Sequence, residues 1–349
     1  MTIILFIFVL LVCVLVHEWG HYIVAKKSGM LVEEFGFGIP PRLWSWKKGE
    51  TTYSINALPI GGFVRIAGEN GFQENAPTNR QFESKTWYQK TAVLVAGVVC
   101  NFLLAFVLFT VAYTIGLPGI TPSGTPTVVS VVAGSPTEEA GVRVGDKITG
   151  VAVGSTYVTV LDTENIRTAI QTMPGDLTLS YTRAGEVSTA TIVPEVSPSG
   201  KAVGIAIEPI GIIKQPFFAS LGLAWKQTIG LIVSIFSTIG ELIAGLFTGE
   251  GSVAGLVGPV GLAREVGSAA NIGPTYLLAF IATISLNLAA LNILPFPALD
   301  GGRLVIVWGE ALTRRRFSPK VVGIVHMVGF LLLISLMFVL TVGDIRRVV

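Results

Sequence analysis

The sequence predicts a polytopic α-helical membrane protein with about four transmembrane helices, a membrane-associated β-hairpin and an inserted β-rich domain. Composition is the first observation: of 349 residues, 51% are hydrophobic and 13% charged, with a mean hydropathy of +0.69, outside the range of ordinary soluble domains. The second is four apolar runs, at residues 3–24, 91–117, 276–294 and 321–341, each near the ~20 residues that cross a ~30 Å hydrocarbon core. The third is a change of character between the second and third runs, where Thr, Ser, Gly and Val dominate residues 118–210. The predicted organisation is thus 1–117, two spans and a hairpin; 118–210, the inserted domain; 211–274, an interfacial amphipathic segment; and 275–349, the last two spans.

A net charge of +2 and the lack of a basic patch interleaved with aromatics exclude nucleic acid as a partner. Cys13 and Cys100 fall inside apolar runs and read as small hydrophobes, not as a disulfide framework or a zinc pair.

The first run lacks a basic leader and a small-residue cleavage site, and it ends at Lys26 and Lys27, so it reads as a retained span and not as a secretory signal. Residues 26 to 90 carry nine Lys and Arg, which by the positive-inside rule places them in the cytosol and the N-terminus outside. Within them, Arg42–Lys47 and Thr52–Ala57 show partial alternation around Lys48-Gly49-Glu50-Thr51 and predict a β-hairpin, with Trp44 and Trp46 suited to a membrane interface. A cytosolic loop with some strand is the plainer alternative.

The inserted domain shows strand-like runs at 127–132, 146–151, 177–182 and 189–193 and a helical stretch at 162–172. Phe217 to Phe247 is apolar but interrupted by Lys226 and Glu241; the Trp225-Lys226-Gln227-Thr228 cluster favours a helix lying at the outer interface over a fifth span. The 276–294 run ends in Asn292-Ile293-Leu294-Pro295-Phe296-Pro297-Ala298-Leu299-Asp300-Gly301-Gly302. Two prolines end the helix there, yet apolar sequence resumes before Arg314–Arg316. Irregular backbone at membrane depth is tolerated only inside protein or along a cavity. Asp300 is therefore an ionisable group in a broken intramembrane segment, about 20 Å from the arginine cluster if the intervening residues are helical; the bland reading is a local turn former.

The chemistry is concentrated in His17-Glu18-Trp19-Gly20-His21. On a helix, His17 and His21 share one face and can bind one zinc ion, with Glu18 beside it as general base. H-E-x-x-H alone is a weak signal and also fits polar residues capping a helix at an interface. Residues 3–16 carry no charge, however, and ionisable groups in such a span default to function. Helix geometry places His17 roughly 13 Å short of Lys26, toward the cytosolic face. Asn101 lies about ten residues into the second span, at a similar depth, where a plain inter-helix hydrogen bond is equally open.

Together, His17-Glu18-x-x-His21, the N-x-x-P-x-P-x-L-D-G pattern of Asn292 to Gly301 and the β-rich insert make the chain resemble the site-2 protease family of intramembrane zinc metalloproteases, in its bacterial branch with an extracytoplasmic PDZ domain. Residues Ser135 to Ile148 resemble the helix-turn-strand segment of bacterial PDZ domains, and the insert has room for one. The resemblance implies that Asp300 is the third zinc ligand and that a reentrant hairpin follows the first span. It also implies that Asn101, in a Gly97-x-x-x-Asn101 pattern with Val98 where the family's proline stands, helps to hold substrate. The expected activity is cleavage of single-span membrane proteins already shortened outside, such as membrane-bound anti-sigma factors, or of remnant signal peptides, in the cell's inner membrane. The PDZ-like domain would bind a peptide or the trimmed substrate end. A helical substrate must unwind, and edge pairing near Tyr53–Ile55 with side-chain bonds from Asn292 and Asn101, beside Pro295 and Pro297, would replace the bonds lost. The alternatives are a membrane-anchored PDZ scaffold or quality-control binding protein with a vestigial metal site, and a transporter with a broken helix.

Overall fold

The computed structural model describes residues 2–69, 71–132, 134–153, 156–159, 162–172, 175–183, 185–197, 200–248 and 257–348. The chain forms two units, residues 1–112 with 217–349, and residues 113–216.

In the first unit, α1 (Thr2–Lys27) is followed by β1 (Val32–Lys48), β2 (Thr51–Ile66) and α2 (Trp87–Ile115). The two strands bend, and their register shows four rungs and not a plain hairpin. Residues 51–56 pair with 42–48 on one side and with 32–37 on the other, while 62–66 pair with the free side of 32–37. The predicted turn at 48–51 is present, but the strand-addition site expected at Tyr53–Ile55 is not an edge. Both of its flanks are hydrogen-bonded, Phe35 and Trp46 facing Tyr53, and Phe37 and Trp44 facing Ile55. The edges are 42–48 and 62–66. Glu34, 4% exposed on the second rung, pairs with Arg42 at 2.6 Å and Arg65 at 3.4 Å, tying both edges to the middle. At the tip, the Arg80 guanidinium and then Lys26 draw the Glu50 carboxyl down to about 2. Tyr53 donates to or accepts from Tyr22 of α1 at 2.8 Å, and this bond, with partial burial, pushes its phenol up to about 12.

The sheet, α1, α2 and a later helix close one core of Ala25, Met30, Val32, Ile66, Phe82, Val93, Leu94, Leu304 and Val307. The later helices are α5 (Phe217–Thr248), α6 (Pro259–Ile272), α7 (Pro274–Ile293), α8 (Asp300–Thr313) and α9 (Pro319–Val348). Of the expected amphipathic segment at 211–274, residues 249–256 lie outside the described residues. Among the described residues five helices, α1, α2, α5, α7 and α9, are long and apolar enough to cross a membrane, one more than the four runs predicted. The difference is α5, a single 32-residue helix through Lys226 and Glu241. Helix α6, not resolved as an element by sequence reading, packs on α1 and α7 through Val266, Val9, Cys13 and Ile284. Its first turn is held by α9, since the N–H groups of Gly258 and Gly261 donate to Asp344 at 3.2 and 2.7 Å.

The second unit is a sheet of β3 (Leu117–Val131), β4 (Lys147–Val153), β5 (Thr156–Thr159), β6 (Leu177–Arg183), β7 (Glu186–Ile192) and, after the small pair β8 (Glu195–Ser197) and β9 (Gly200–Ala202), β10 (Ile205–Ile213). The order is β10-β3-β4-β6-β7, antiparallel throughout, with β5 on β4. Helices α3 (Pro136–Glu139) and α4 (Thr163–Thr172) complete it. The expected strands and helix match to within a few residues, apart from β3 starting earlier, and β5, β8, β9 and β10 were unforeseen. Val128, Ile148, Val151, Ile166, Leu177, Leu179 and Ile192 form the core, each fully buried aliphatic contributing roughly 1.5–3 kcal/mol. Asp146, 1% exposed, accepts two bonds of 2.7 Å from Arg183, locking the turn into β4.

Candidate metal centre

His17 and His21 lie one turn apart on the buried face of α1, and Asp300 occupies the first turn of α8, where a carboxylate complements the helix dipole. Helix α7 stops at Ile293 because Pro295 and Pro297 cannot continue it; the chain turns back with Leu299 extended, and α8 begins. The turn carries Asp300 to the two imidazoles. His17 Nε2 and His21 Nε2 stand 3.1 Å apart, and Asp300 Oδ2 stands 3.1 and 3.2 Å from them.

This triangle fits a zinc ion. Ligand atoms at the ~2.0–2.1 Å of Zn–N and Zn–O bonds in a tetrahedron are about 3.3 Å apart. The protonation pattern agrees: His21 Nδ1 donates to the Val93 carbonyl at 2.8 Å, which leaves its Nε2 a bare lone pair. Asp300 Oδ2 is buried without a hydrogen-bond partner. His21 Nε2 and Asp300 Oδ2, two acceptor atoms 3.2 Å apart, repel unless a cation lies between them. The helix α2 makes room: a Cβ at Gly97 would stand 2.5 Å from His21 Nε2 and 2.6 Å from His17 Cε1.

A cavity of about 310 Å³ opens beside the three residues, lined also by Glu18, Phe63, Val64, Asn292, Ala298 and Arg303. Glu18 faces the edge rung of the sheet, with Gly62 against its Cγ and the Val64 N–H directed at its carboxylate. Of the other expected residues, Asn292 lines this cavity. Asn101 is fully buried one turn beyond Gly97, with neither side-chain amide atom hydrogen-bonded, while its carbonyl accepts from Ser285 at 2.9 Å. Pro295 and Pro297 shape the chain reversal and do not line the cavity, and Pro297 rests on Gly329 of α9. Tyr53 and Ile55 do not line it either.

Sequence reading missed Arg303, which lines the cavity and pairs with Glu69. A charge three residues past Asp300, at membrane depth, was the available signal. It also missed His326, whose Nδ1 accepts from the Ala298 N–H at 2.9 Å. His326 is the one ionisable side chain between residues 321 and 343.

The family model described as Peptidase family M50 matches residues 5–336. The chain is similar to a predicted zinc metalloprotease of Clostridium perfringens, 34% identical over 336 residues that cover 95% of each chain. It is also similar to the zinc metalloprotease RasP of Geobacillus kaustophilus, 31% identical over an alignment of 427 positions, gaps included, that covers 99% of this chain and 98% of the relative, and to that of Shouchella clausii, 30% identical with 99% of both covered. With its apolar helices and its His-His-Asp cluster, the chain belongs to peptidase family M50, the site-2 protease family of membrane-embedded zinc metalloproteases.

Proposed function

We propose that the protein cleaves single-span membrane proteins within the bilayer, after prior trimming outside, with His17, His21 and Asp300 holding zinc and Glu18 acting as general base and acid. One observation carries this reading: the three donor atoms, all within 4.8 Å of one another, lie in one cavity with Glu18. Zinc, when bound, polarises the scissile carbonyl and acidifies water. Glu18 takes the proton of the attacking water and delivers it to the leaving amine. Val64 orients the Glu18 carboxylate, Val93 fixes the tautomer of His21, and Asn292 bonds the unwound substrate. The free rung at 62–66 receives that substrate as an added strand, a role moved there from Tyr53 and Ile55 because 51–56 has no free edge. Asn101 offers unsatisfied amide atoms one turn away. Membrane-bound anti-sigma factors and remnant signal peptides are the substrate classes that fit.

The reading includes four spans with the N-terminus outside the inner (plasma) membrane. Helices α1 and α2 are antiparallel, since His21 meets Val93. Helices α1 and α7 are parallel: Thr2 meets Gly267 just before α7, Cys13 meets Ile281 within it, and His17 meets Asp300 just beyond it. The end of α2 and the start of α7 therefore share a face, and the chain between them crosses an even number of times. Helix α6, with 14 residues, is ~21 Å long and too short to cross, so α5 alone would break the parity; it lies at the outer interface. The basic clusters agree with one cytosolic face, because Arg316 lies over Phe72 and 3.5 Å from Glu83. The second unit is then extracytoplasmic. Its α3-turn-β4 segment and the outer edge of β10 near α4 support a single PDZ-like domain that takes a peptide or the trimmed substrate end by strand addition.

The test separates roles within the site. Glu18→Gln abolishes cleavage of a single-span substrate while the purified protein keeps its zinc, because Glu18 is not a ligand. Asp300→Asn loses zinc affinity along with activity, since the amide lacks the carboxylate's charge. Zinc loss in Glu18→Gln, or full zinc affinity in Asp300→Asn, would reject these assignments.

A further inference from the structure

We propose that His326 is a positioning residue for the metal centre: its Nδ1, by accepting the Ala298 N–H, sets the turn that presents Asp300. The inference rests on Asp300 being the third zinc ligand.

Ala298 stands two residues before Asp300 with φ at 76°. A residue with a Cβ is strained in that left-handed conformation, which persists only where its surroundings over-determine it. Both tertiary supports come from α9. The Ala298 N–H donates to His326 Nδ1 at 2.9 Å, across 28 residues of chain. One turn further along α9, Gly329 is buried against Pro297, where a Cβ would stand 2.5 Å from Pro297 Cβ. Locally the turn has the bond from the Phe296 N–H to the Leu294 carbonyl, at 2.7 Å, and the longer one from the Leu299 N–H to the Phe296 carbonyl, at 3.2 Å.

An N–H in this turn that loses its protein partner pays its desolvation unless a water of the adjoining cavity reaches it. If α9 served this loop by packing alone, an aliphatic residue at 326 would suffice, as at nearly every neighbouring position of the span. The ring is instead in the tautomer with its proton on Nε2, as assigned from the bond at Nδ1. The chain has three histidines, two on the metal side of Asp300 and the third behind it. The carboxylate is thus held from its backbone as His21 is held from Val93. In metal sites such outer partners change affinity by roughly 10–100-fold.

The measurement is zinc affinity of the full-length protein in detergent, by competition with a chromophoric chelator, for His326→Leu, His326→Asn and His326→Gln. Asparagine carries its amide oxygen where Nδ1 stands, and glutamine carries it one bond further out. Leucine and glutamine are expected to weaken zinc binding about tenfold or more, and asparagine to stay within about threefold of wild type. Thermal unfolding of the metal-free proteins checks that they fold; if the leucine variant does not, asparagine against glutamine decides. Unchanged affinity in the leucine and glutamine variants overturns the proposal, as does an equal loss in asparagine and glutamine. Asp300→Asn is measured beside them. If it weakens binding while the position-326 variants do not, the positioning role alone has failed; if it too is neutral, the ligand assignment has failed and the proposal with it.

Discussion

At the residue scale, the metal centre combines groups with a sequence signature and groups without one. His17, Glu18 and His21 were legible because helical spacing puts two imidazoles on one face. Asp300 stood out as a functional candidate because a carboxylate in a proline-broken apolar run has few uses, while its place as a ligand came only from the family resemblance. Val93 was not, since it acts through its carbonyl at 2.8 Å from His21 Nδ1, and any residue has a carbonyl. Gly97 was noticed only as part of a pattern around Asn101. The structure gives it a separate reason, because its missing side chain is the space in which both imidazoles lie. Gly97→Ala therefore forces the rings or α2 to shift by several tenths of an ångström. Zinc affinity is expected to fall about tenfold or more, as when other outer supports of a metal site are removed, with unfolding of the metal-free protein little changed. Chelator competition and thermal unfolding measure the two, and unchanged zinc affinity would show that the neighbouring helices yield without moving the ligands.

At the scale of elements, the four-rung sheet alters what a hairpin substitution does. Proline at position 55 lies in a rung paired on both sides, where a ladder bond is lost whichever way the N–H points. Ile55→Pro is expected to lower kcat/KM by similar factors on helical and on flexible substrates, through damage to the sheet. Val64→Pro lies on the free rung beside Glu18, where proline is tolerated by the fold but removes the N–H that orients the Glu18 carboxylate and faces an added strand, so a loss common to all substrates is expected beneath any loss specific to strand pairing. Its loss is expected to be several-fold larger on a helical transmembrane substrate than on a short flexible peptide. Matched substrates with and without Gly or Pro near the scissile bond supply the measurement, and equal losses for Val64→Pro would remove the strand-addition step. The local hairpin was legible from alternation and the Lys48-Gly49-Glu50 turn. The outer pairing of 32–37 with 62–66 was not, because about thirty residues separate the partners and the breaker-rich stretches at Gly38–Pro41 and Pro59–Gly62 hide the continuity of each strand. Helix α5 shows a related limit: composition reports that it is apolar enough to span, whereas its parity depends on which helices run parallel.

At the scale of the whole molecule, the composition shift expected near residue 118 lies five residues past the start of the second unit, at 113. Its core of Val128, Ile148, Val151, Leu177 and Leu179 is drawn from its own residues, whereas His17, Glu18, His21, Asn292 and Asp300 all belong to the first unit. The two crossings of the boundary also lie side by side. Leu117 pairs with Ile213, and the Gln215 N–H donates to the Tyr113 carbonyl at 3.0 Å. Replacing residues 117–213 by two or three glycines thus closes a gap of one strand spacing, ~5 Å, and asks nothing of the helices. The shortened protein is expected to keep its zinc and to cleave a flexible peptide within about threefold of the wild-type rate, because a site built wholly from one unit is not disassembled by removing the other. Discrimination between trimmed and untrimmed single-span substrates should fall, since the unit proposed to read the trimmed end is gone. Chelator competition establishes that the site survives, and kcat/KM on the paired substrates reads the selectivity. A zinc-loaded deletion variant with unchanged selectivity would strip the second unit of its gating role, and one that is zinc-loaded yet inactive on every substrate would make the unit part of the catalytic architecture.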